Sequence, residues 1–186
     1  MRLLAAALLL CSCVPSGRGP AAALPEFRMT AVGPTSERDF GRADLLGRVW
    51  VAGFVFTRCA GPCPLVTRSM SLVAKEAPGV TLLTITVDPE GDTPERLRAY
   101  AKRWDADERR WVFLRGGLSE TYRLLYEGFR LPLSIDPAAA PELRATHSTR
   151  LVLIGRDGWI RGTYDSSSEL EQAALARDAR RLLEDS

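Results

Sequence analysis

Val49-Trp50-Val51-Ala52-Gly53-Phe54-Val55-Phe56 runs straight into Thr57-Arg58-Cys59-Ala60-Gly61-Pro62-Cys63-Pro64. An unbroken apolar stretch of this length reads as a strand buried on both faces. Pro62 and Pro64 fit only the first turn of a helix, where a missing amide donor costs nothing. Leu65, Val66, Ser69, Met70, Leu72 and Val73 then carry a helix to about Ala77, and Pro78-Gly79 stops it. The sequence therefore places a cysteine pair at the junction between a core strand and a helix start.

Working outward, Val80 to Val87 is a second buried strand rich in β-branched residues. Thr93 is an N-cap, Pro94 a first helical residue, and Asp92 suits the positive end of the helix that follows. Leu97, Tyr100, Ala101 and Trp104 mark its inner face. Trp111 to Leu114 reads as a short strand and Ser119 to Gly128 as a helix. Thr149 to Ile154 and Trp159 to Tyr164 flank the turn Gly155-Arg156-Asp157-Gly158, a hairpin signal. A last helix covers about Ser168 to Leu183, and residues 26–48 supply a short N-terminal strand pair. This order predicts a thioredoxin-like α/β three-layer sandwich with a central mixed sheet, an N-terminal strand extension and a C-terminal helix. Trp50, Trp104, Trp111 and Trp159 read as core or hairpin packing, and nothing supports thioether ligation by Met29 or Met70.

The 25 basic and 23 acidic residues give a net charge of +2 over 186 residues. That balance, with no basic stripe carrying aromatics, argues against nucleic-acid binding. Arg109-Arg110 and Arg180-Arg181 read as solvated surface. Leu3 to Leu10 is an apolar run behind Met1-Arg2, too short to span a bilayer but long enough for the core of a signal peptide. Leu10-Cys11-Ser12-Cys13 has the form of a bacterial lipoprotein signal with Cys13 as the lipidated residue; cleavage after Ala21-Ala22-Ala23 is the rival. Either route exports the protein to the cell envelope. The expected layout is a signal peptide over 1–12, a flexible linker over 13–24 and one folded domain over 25–186.

Of four cysteines, only Cys59 and Cys63 then remain in the folded part. A bond across so short a loop would constrain little of the unfolded chain, so the pair reads as chemical, not structural. At a helix start the dipole and Arg58 favour thiolate, the form that attacks disulfides and binds metals. Four positions apart, the sulfurs share one side of a turn, and a reversible Cys59–Cys63 disulfide is geometrically open. Soft thiolates select Cu(I) or Zn(II), and imidazole suits either. Structural zinc wants four ligands; here His147, the only histidine, makes three, a number that suits copper. His147 stands just before a buried strand, where it can face the cysteine helix. Asp88 reads first as the cap of its Asp-Pro turn and only secondarily as a partner of metal or histidine. Asp92 reads as part of a helix start, and Arg58 by default as an exposed loop residue.

Phe56-Thr57-Arg58-Cys59-Ala60-Gly61-Pro62-Cys63-Pro64 resembles the signature of the Sco/SenC copper-delivery family. Val87-Asp88-Pro89-Glu90-Gly91-Asp92-Thr93-Pro94, Trp111 to Gly116 and His147-Ser148-Thr149 continue the likeness in register over roughly residues 26–183. The resemblance implies a thioredoxin fold that binds one copper ion, as Cu(I) or Cu(II), through Cys59, Cys63 and His147. It also implies delivery to the copper-centre subunit of cytochrome c oxidase, with other copper chaperones or thioredoxin-like reductases as further partners. Ala60 departs from the family's usual proline. A second function stays open, a thiol–disulfide oxidoreductase acting through Cys59 and Cys63 without need of His147. A peroxidase, the third, lacks the Pro-rich loop and activating threonine it would want before Cys59.

Overall fold

The structure is a computed structural model and describes residues 24–185. The expected signal peptide, Cys11, Cys13 and the expected linker up to residue 23 lie outside the described residues.

The fold is thioredoxin-like α/β. Among the described residues, nine strands form a seven-stranded mixed sheet of order β2-β1-β5-β4-β3-β8-β9 and a separate ribbon, β6-β7. The parallel core is β3 (Trp50–Val55), β4 (Thr81–Thr86) and β5 (Trp111–Arg115). Every residue of β3 and β4 is buried, as the continuous apolar runs predict. The helix α1 (Cys63–Glu76) packs on β3, and α2 (Pro94–Arg103) crosses back to β5. Gly53 lets α1 sit close: a Cβ there would lie 2.5 Å from Met70 Sδ and 3.1 Å from Leu151 Cδ2. Met70 and Met29 are both core residues. As expected, Thr93 caps α2, its hydroxyl accepting from the Arg96 amide at 3.4 Å.

The N-terminal pair is β1 (Arg28–Val32) with β2 (Glu37–Gly41), antiparallel, followed by a 3-10 turn over Arg42–Leu45. β1 joins the sheet edge at β5, pairing Thr30 with Arg115 and Ala31 with Leu114. Leu24, assigned from sequence to the linker, is buried in the core beside Phe27. At the other edge, β8 (Arg150–Ile154) runs antiparallel to β3 and makes the expected hairpin with β9 (Ile160–Asp165) through Gly158, whose φ is +79°. α4 (Glu169–Glu184) closes the chain. Trp50 and Trp111 are buried, and Trp159 stands partly exposed at the hairpin.

Two elements differ from the sequence reading. The helix expected over 119–128 is α3 (Leu118–Arg123) followed by a π-helical stretch, Leu124–Phe129. The wider winding puts Leu124 and Phe129, five residues apart, together on the core face. Second, β6 (Leu133–Ile135) and β7 (Ala145–His147) form a ribbon that periodicity does not announce. Among the described residues no helix is long and apolar enough to cross a membrane.

Candidate metal and redox site

The three residues singled out in the sequence come together at the carboxyl end of β3. Cys59 lies in the loop after it, its amide bonded to Phe56 O at 3.2 Å, and Cys63 is the first residue of α1. Leu65 and Val66 amides bond to Pro62 O at 2.9 and 3.2 Å, so the prolines occupy the first turn as their chemistry requires. Both cysteines are free thiols: Cys63 is buried and Cys59 half-buried. His147 ends β7, and its Nε2 stands 3.3 Å from Cys63 Sγ.

The imidazole is oriented from behind. Nδ1 lies 2.9 Å from the Ser148 carbonyl, which can only accept, so Nδ1 carries the proton and Nε2 turns a lone pair toward Cys63. The ring packs edge-on against Phe56, with centroids 6.0 Å apart. Burial pushes the His147 pKa down, the Ser148 bond only partly offsetting it. A neutral imidazole with an open Nε2 is the metal-binding form.

At Cys63 burial works against the thiolate that the helix start favours. Burial, reinforced by the neighbouring Cys59, pushes the Cys63 thiol well above its ordinary value. The helix end is present, but desolvation outweighs it. Nor does Arg58 serve the sulfurs freely: its Nη2 is held 2.7 Å from Asp88 Oδ2. The proton on Cys63 must therefore leave before its sulfur can bind a metal or attack a disulfide.

Beneath the loop lies a polar frame that the sequence reading undervalued. Asp92, assigned to a helix start, is fully buried, and its carboxylate accepts from the Thr57 amide at 3.1 and 3.0 Å, Thr57 Oγ1 at 2.6 Å and Thr86 Oγ1 at 2.5 Å. These bonds pin the residue two before Cys59 to the end of β4. Burial still pushes the Asp92 pKa up, the threonine bonds opposing it. Asp88 caps its own turn through the Gly91 amide at 3.1 Å, as read, and also anchors Arg58. Arg58 is therefore a partner in this frame, not a free loop residue. Arg115 Nε ties the acidic loop to β5 through Pro89 O at 2.9 Å and Asp92 O at 3.1 Å. On the helix side, Thr67 Oγ1 bonds to Cys63 O at 3.0 Å and to Tyr100 Oη at 2.6 Å. Burial pushes Tyr100 up to about 12. Thr57 and Thr86 escape a reading of the sequence because threonine at strand ends has ordinary explanations. The usable signal was the pair of aspartates four apart directly after β4.

Chemically the donor set is two sulfurs and one nitrogen, which suits a soft monovalent or borderline cation. Of the two sulfurs, Cys63 is the one that His147 approaches. Among the described residues, however, no group of three His, Cys, Asp or Glu side chains is already gathered tightly enough to hold an ion. Closing on a metal therefore requires adjustment. Cys13, the predicted lipidation site, lies outside the described residues.

The SCO1/SenC family model matches residues 17–184. A SCO1 protein homolog of Bacillus subtilis (strain 168) is 30% identical over 126 residues, covering 65% of this chain and 64% of its own length. The chain thus spans just under two thirds of that relative. Among solved structures, a SCO1/SenC family lipoprotein of Bacillus anthracis str. Ames superposes with a TM-score of 0.77 at 29% identity, covering 87% of this chain and 95% of that one. Bradyrhizobium japonicum ScoI, solved with copper bound, gives a TM-score of 0.70 at 21% identity over 87% of this chain and 99% of that one, a likeness of fold. With a match over nearly its whole length, this chain belongs to the SCO1/SenC family.

Proposed function

We propose that this protein is an exported copper chaperone that binds one copper ion through Cys59, Cys63 and His147. Its destination is the dinuclear copper centre of cytochrome c oxidase. The observation that supports this most is the 3.3 Å approach of His147 Nε2 to Cys63 Sγ, with Nδ1 committed to Ser148 O. A dithiol reductase has no use for an imidazole whose lone pair is aimed at its buried sulfur. A soft metal cargo has.

Loading Cu(I) displaces the two thiol protons to water as thiolate–copper bonds form, and the open nitrogen of His147 adds a third bond. Release is ligand exchange: an acceptor's thiolates replace Cys59 and Cys63 one at a time, with no change of oxidation state. Oxidation of the dithiol to a Cys59–Cys63 disulfide, two electrons and two protons passing to an acceptor disulfide, removes two ligands and shuts the site. The folded domain over 25–186 would reach the envelope behind the signal over 1–12 and stay at the membrane through lipidated Cys13 on the linker 13–24.

The second reading, a thiol–disulfide oxidoreductase for the oxidase copper site or other envelope proteins, is favoured by one fact. Both thiols are free, the reduced state of such a pair. Cu(I) binding to the reduced protein against a competing chelator, wild type beside His147→Ala, separates the two. One-to-one binding weakened about tenfold or more in the variant, about 1.4 kcal/mol per decade, supports the chaperone. Weak binding indifferent to His147, in a protein that still cycles its disulfide, leaves the oxidoreductase.

A further inference from the structure

Away from the cysteine–histidine site, α1 and α4 leave an open groove of about 530 Å³ between them. β9 is antiparallel to β8 and β8 to β3, so the strands that precede the two helices run the same way and both helices start at the cysteine end of the sheet. α1 lines the groove with Leu65, Arg68, Ser69, Leu72 and Glu76. α4 lines it with Glu169, Gln172, Ala173, Ala176 and Arg180. Both sets follow the same i, i+3, i+4, i+7, i+11 spacing. Two parallel helices thus turn matching stripes outward, which is the shape that receives a third helix along their seam.

The groove has a bottom and a direction. Ser69 Oγ donates to Ser166 O at 3.0 Å and Gln172 Nε2 to the same carbonyl at 2.6 Å, tying the walls together. At the far end Arg180 Nη1 bonds to Glu76 O at 2.9 Å and to its carboxylate at 3.1 Å, closing the groove there. The open end is Leu65, two residues after Cys63. Leu65 and Leu72 are 47% and 39% exposed, seven residues apart on one stripe. Single exposed leucines are ordinary, but these two flank the groove's unmatched charge. Glu76 and Arg180 neutralise each other, and Glu169 sits in the first turn of α4, where the helix end favours it. Arg68, between the leucines, has no ion-pair partner among the described residues. Ser166, on the α4 side, keeps a buried hydroxyl without a hydrogen-bond partner among the described residues.

We propose that this groove docks an amphipathic α-helix of a partner protein, with apolar residues against Leu65 and Leu72 and an acidic residue against Arg68. Three turns of helix, about 16 Å at 1.5 Å per residue, span the α1 stripe. The small Ala173 and Ala176 on the facing wall allow the close approach. A partner so seated has one end beside the Cys63 loop.

The test uses the metal-free full chain and two synthetic helical peptides of 14 residues, identical except for Glu or Lys at the position facing Arg68. Amide chemical shifts are followed during titration, and circular dichroism verifies the fold of each variant. Expected is binding of the Glu peptide with shifts confined to α1 and α4, weakened at least about tenfold by Leu72→Glu. Arg68→Glu should reverse the preference to the Lys peptide. Leu170→Glu, on α4 but outside the groove, should change nothing. Absence of binding by either peptide, or a preference indifferent to Arg68→Glu, overturns the proposal. So does a dimer in sedimentation that Leu72→Glu dissolves, since a second copy would then be the occupant. No copper enters the readout, so this inference and the chaperone reading fail separately.

Discussion

The cysteines and the histidine meet at one point but are carried by very different parts of the molecule. Cys59 and Cys63 extend from β3, which has β4 on one side and β8 on the other and is buried along its whole length. His147 ends a ribbon of two three-residue strands, half-buried and exposed by turns and outside the main sheet. A ribbon that short has little stability of its own. The sulfur half of the site is thus set by the core, while the nitrogen half rides on an element that can shift at low cost. With no finished three-ligand cage among the described residues, the proposed copper site is expected to form by capture at the thiols and closure by His147.

The largest effects should fall on the sulfur half and strike stability and copper together. Gly53→Ala forces a Cβ to 2.5 Å from Met70 Sδ beneath α1. Overpacking of this kind costs about 1–3 kcal/mol, and lifting α1 displaces Cys63. A lowered urea midpoint with weaker Cu(I) binding is expected. Its counterpart on the nitrogen half is Leu133→Ala, which removes the residue opposite His147 in the ribbon. Loss of that partly buried side chain should cost about 1 kcal/mol yet weaken Cu(I) binding as much as Gly53→Ala does. Equal losses of stability in both variants would show the ribbon to be as firmly built as the sheet, and the contrast would fall.

A smaller effect tests the frame under the cysteines. A Cβ at residue 91 would collide with Arg58 Nη2 and the Asp88 carboxylate. Gly91→Ala should therefore break that ion pair, with a cost of about 1–2 kcal/mol for a half-exposed arginine on a buried carboxylate. Arg58→Ala in the same background should then add little, since the pair is already gone. Additive losses in a double-mutant cycle on urea midpoints would place the strain elsewhere.

This contrast also explains what the sequence could disclose. β3, β4 and α1 were legible because burial on both faces leaves an apolar run, and prolines at a helix start leave a fixed mark. The candidate site residues were legible because Cys59, Cys63 and His147 are rare residue types with few bland uses. The ribbon was not: Leu133-Ser134-Ile135 and Ala145-Thr146-His147 are too short for a period to register. The π-helical turn escaped for a related reason, since Leu124, Leu125 and Phe129 suit an α-helix equally well until the core is known. Asp92 was misread because an aspartate before Thr-Pro has a sufficient local explanation, and only the fold reveals that Thr57 and Thr86 converge on it.

The subtlest difference between the halves is the sign of their response to acid. Asp92 has its pKa raised by burial, so its contribution is fully present below the unfolded carboxyl value and is lost as pH rises through the folded one. His147 has its pKa lowered, so the folded state resists the proton the unfolded chain accepts, and stability is lost as pH falls below about 6.5. Acidification from neutrality should thus strain the nitrogen half while it relieves the sulfur half, each by at most about 1.4 kcal/mol per pH unit. Urea unfolding of the metal-free protein between pH 4 and 8 reads both. His147→Gln should flatten the loss of stability below pH 6.5, and Asp92→Asn should make the acid-side loss steeper than in wild type by removing the opposing gain. If the His147→Gln curve overlies that of wild type, the imidazole is not held neutral by burial. The lone pair aimed at Cys63 would then be open to protonation before any metal arrives, and the ribbon could not be the part that completes the site in mildly acidic surroundings.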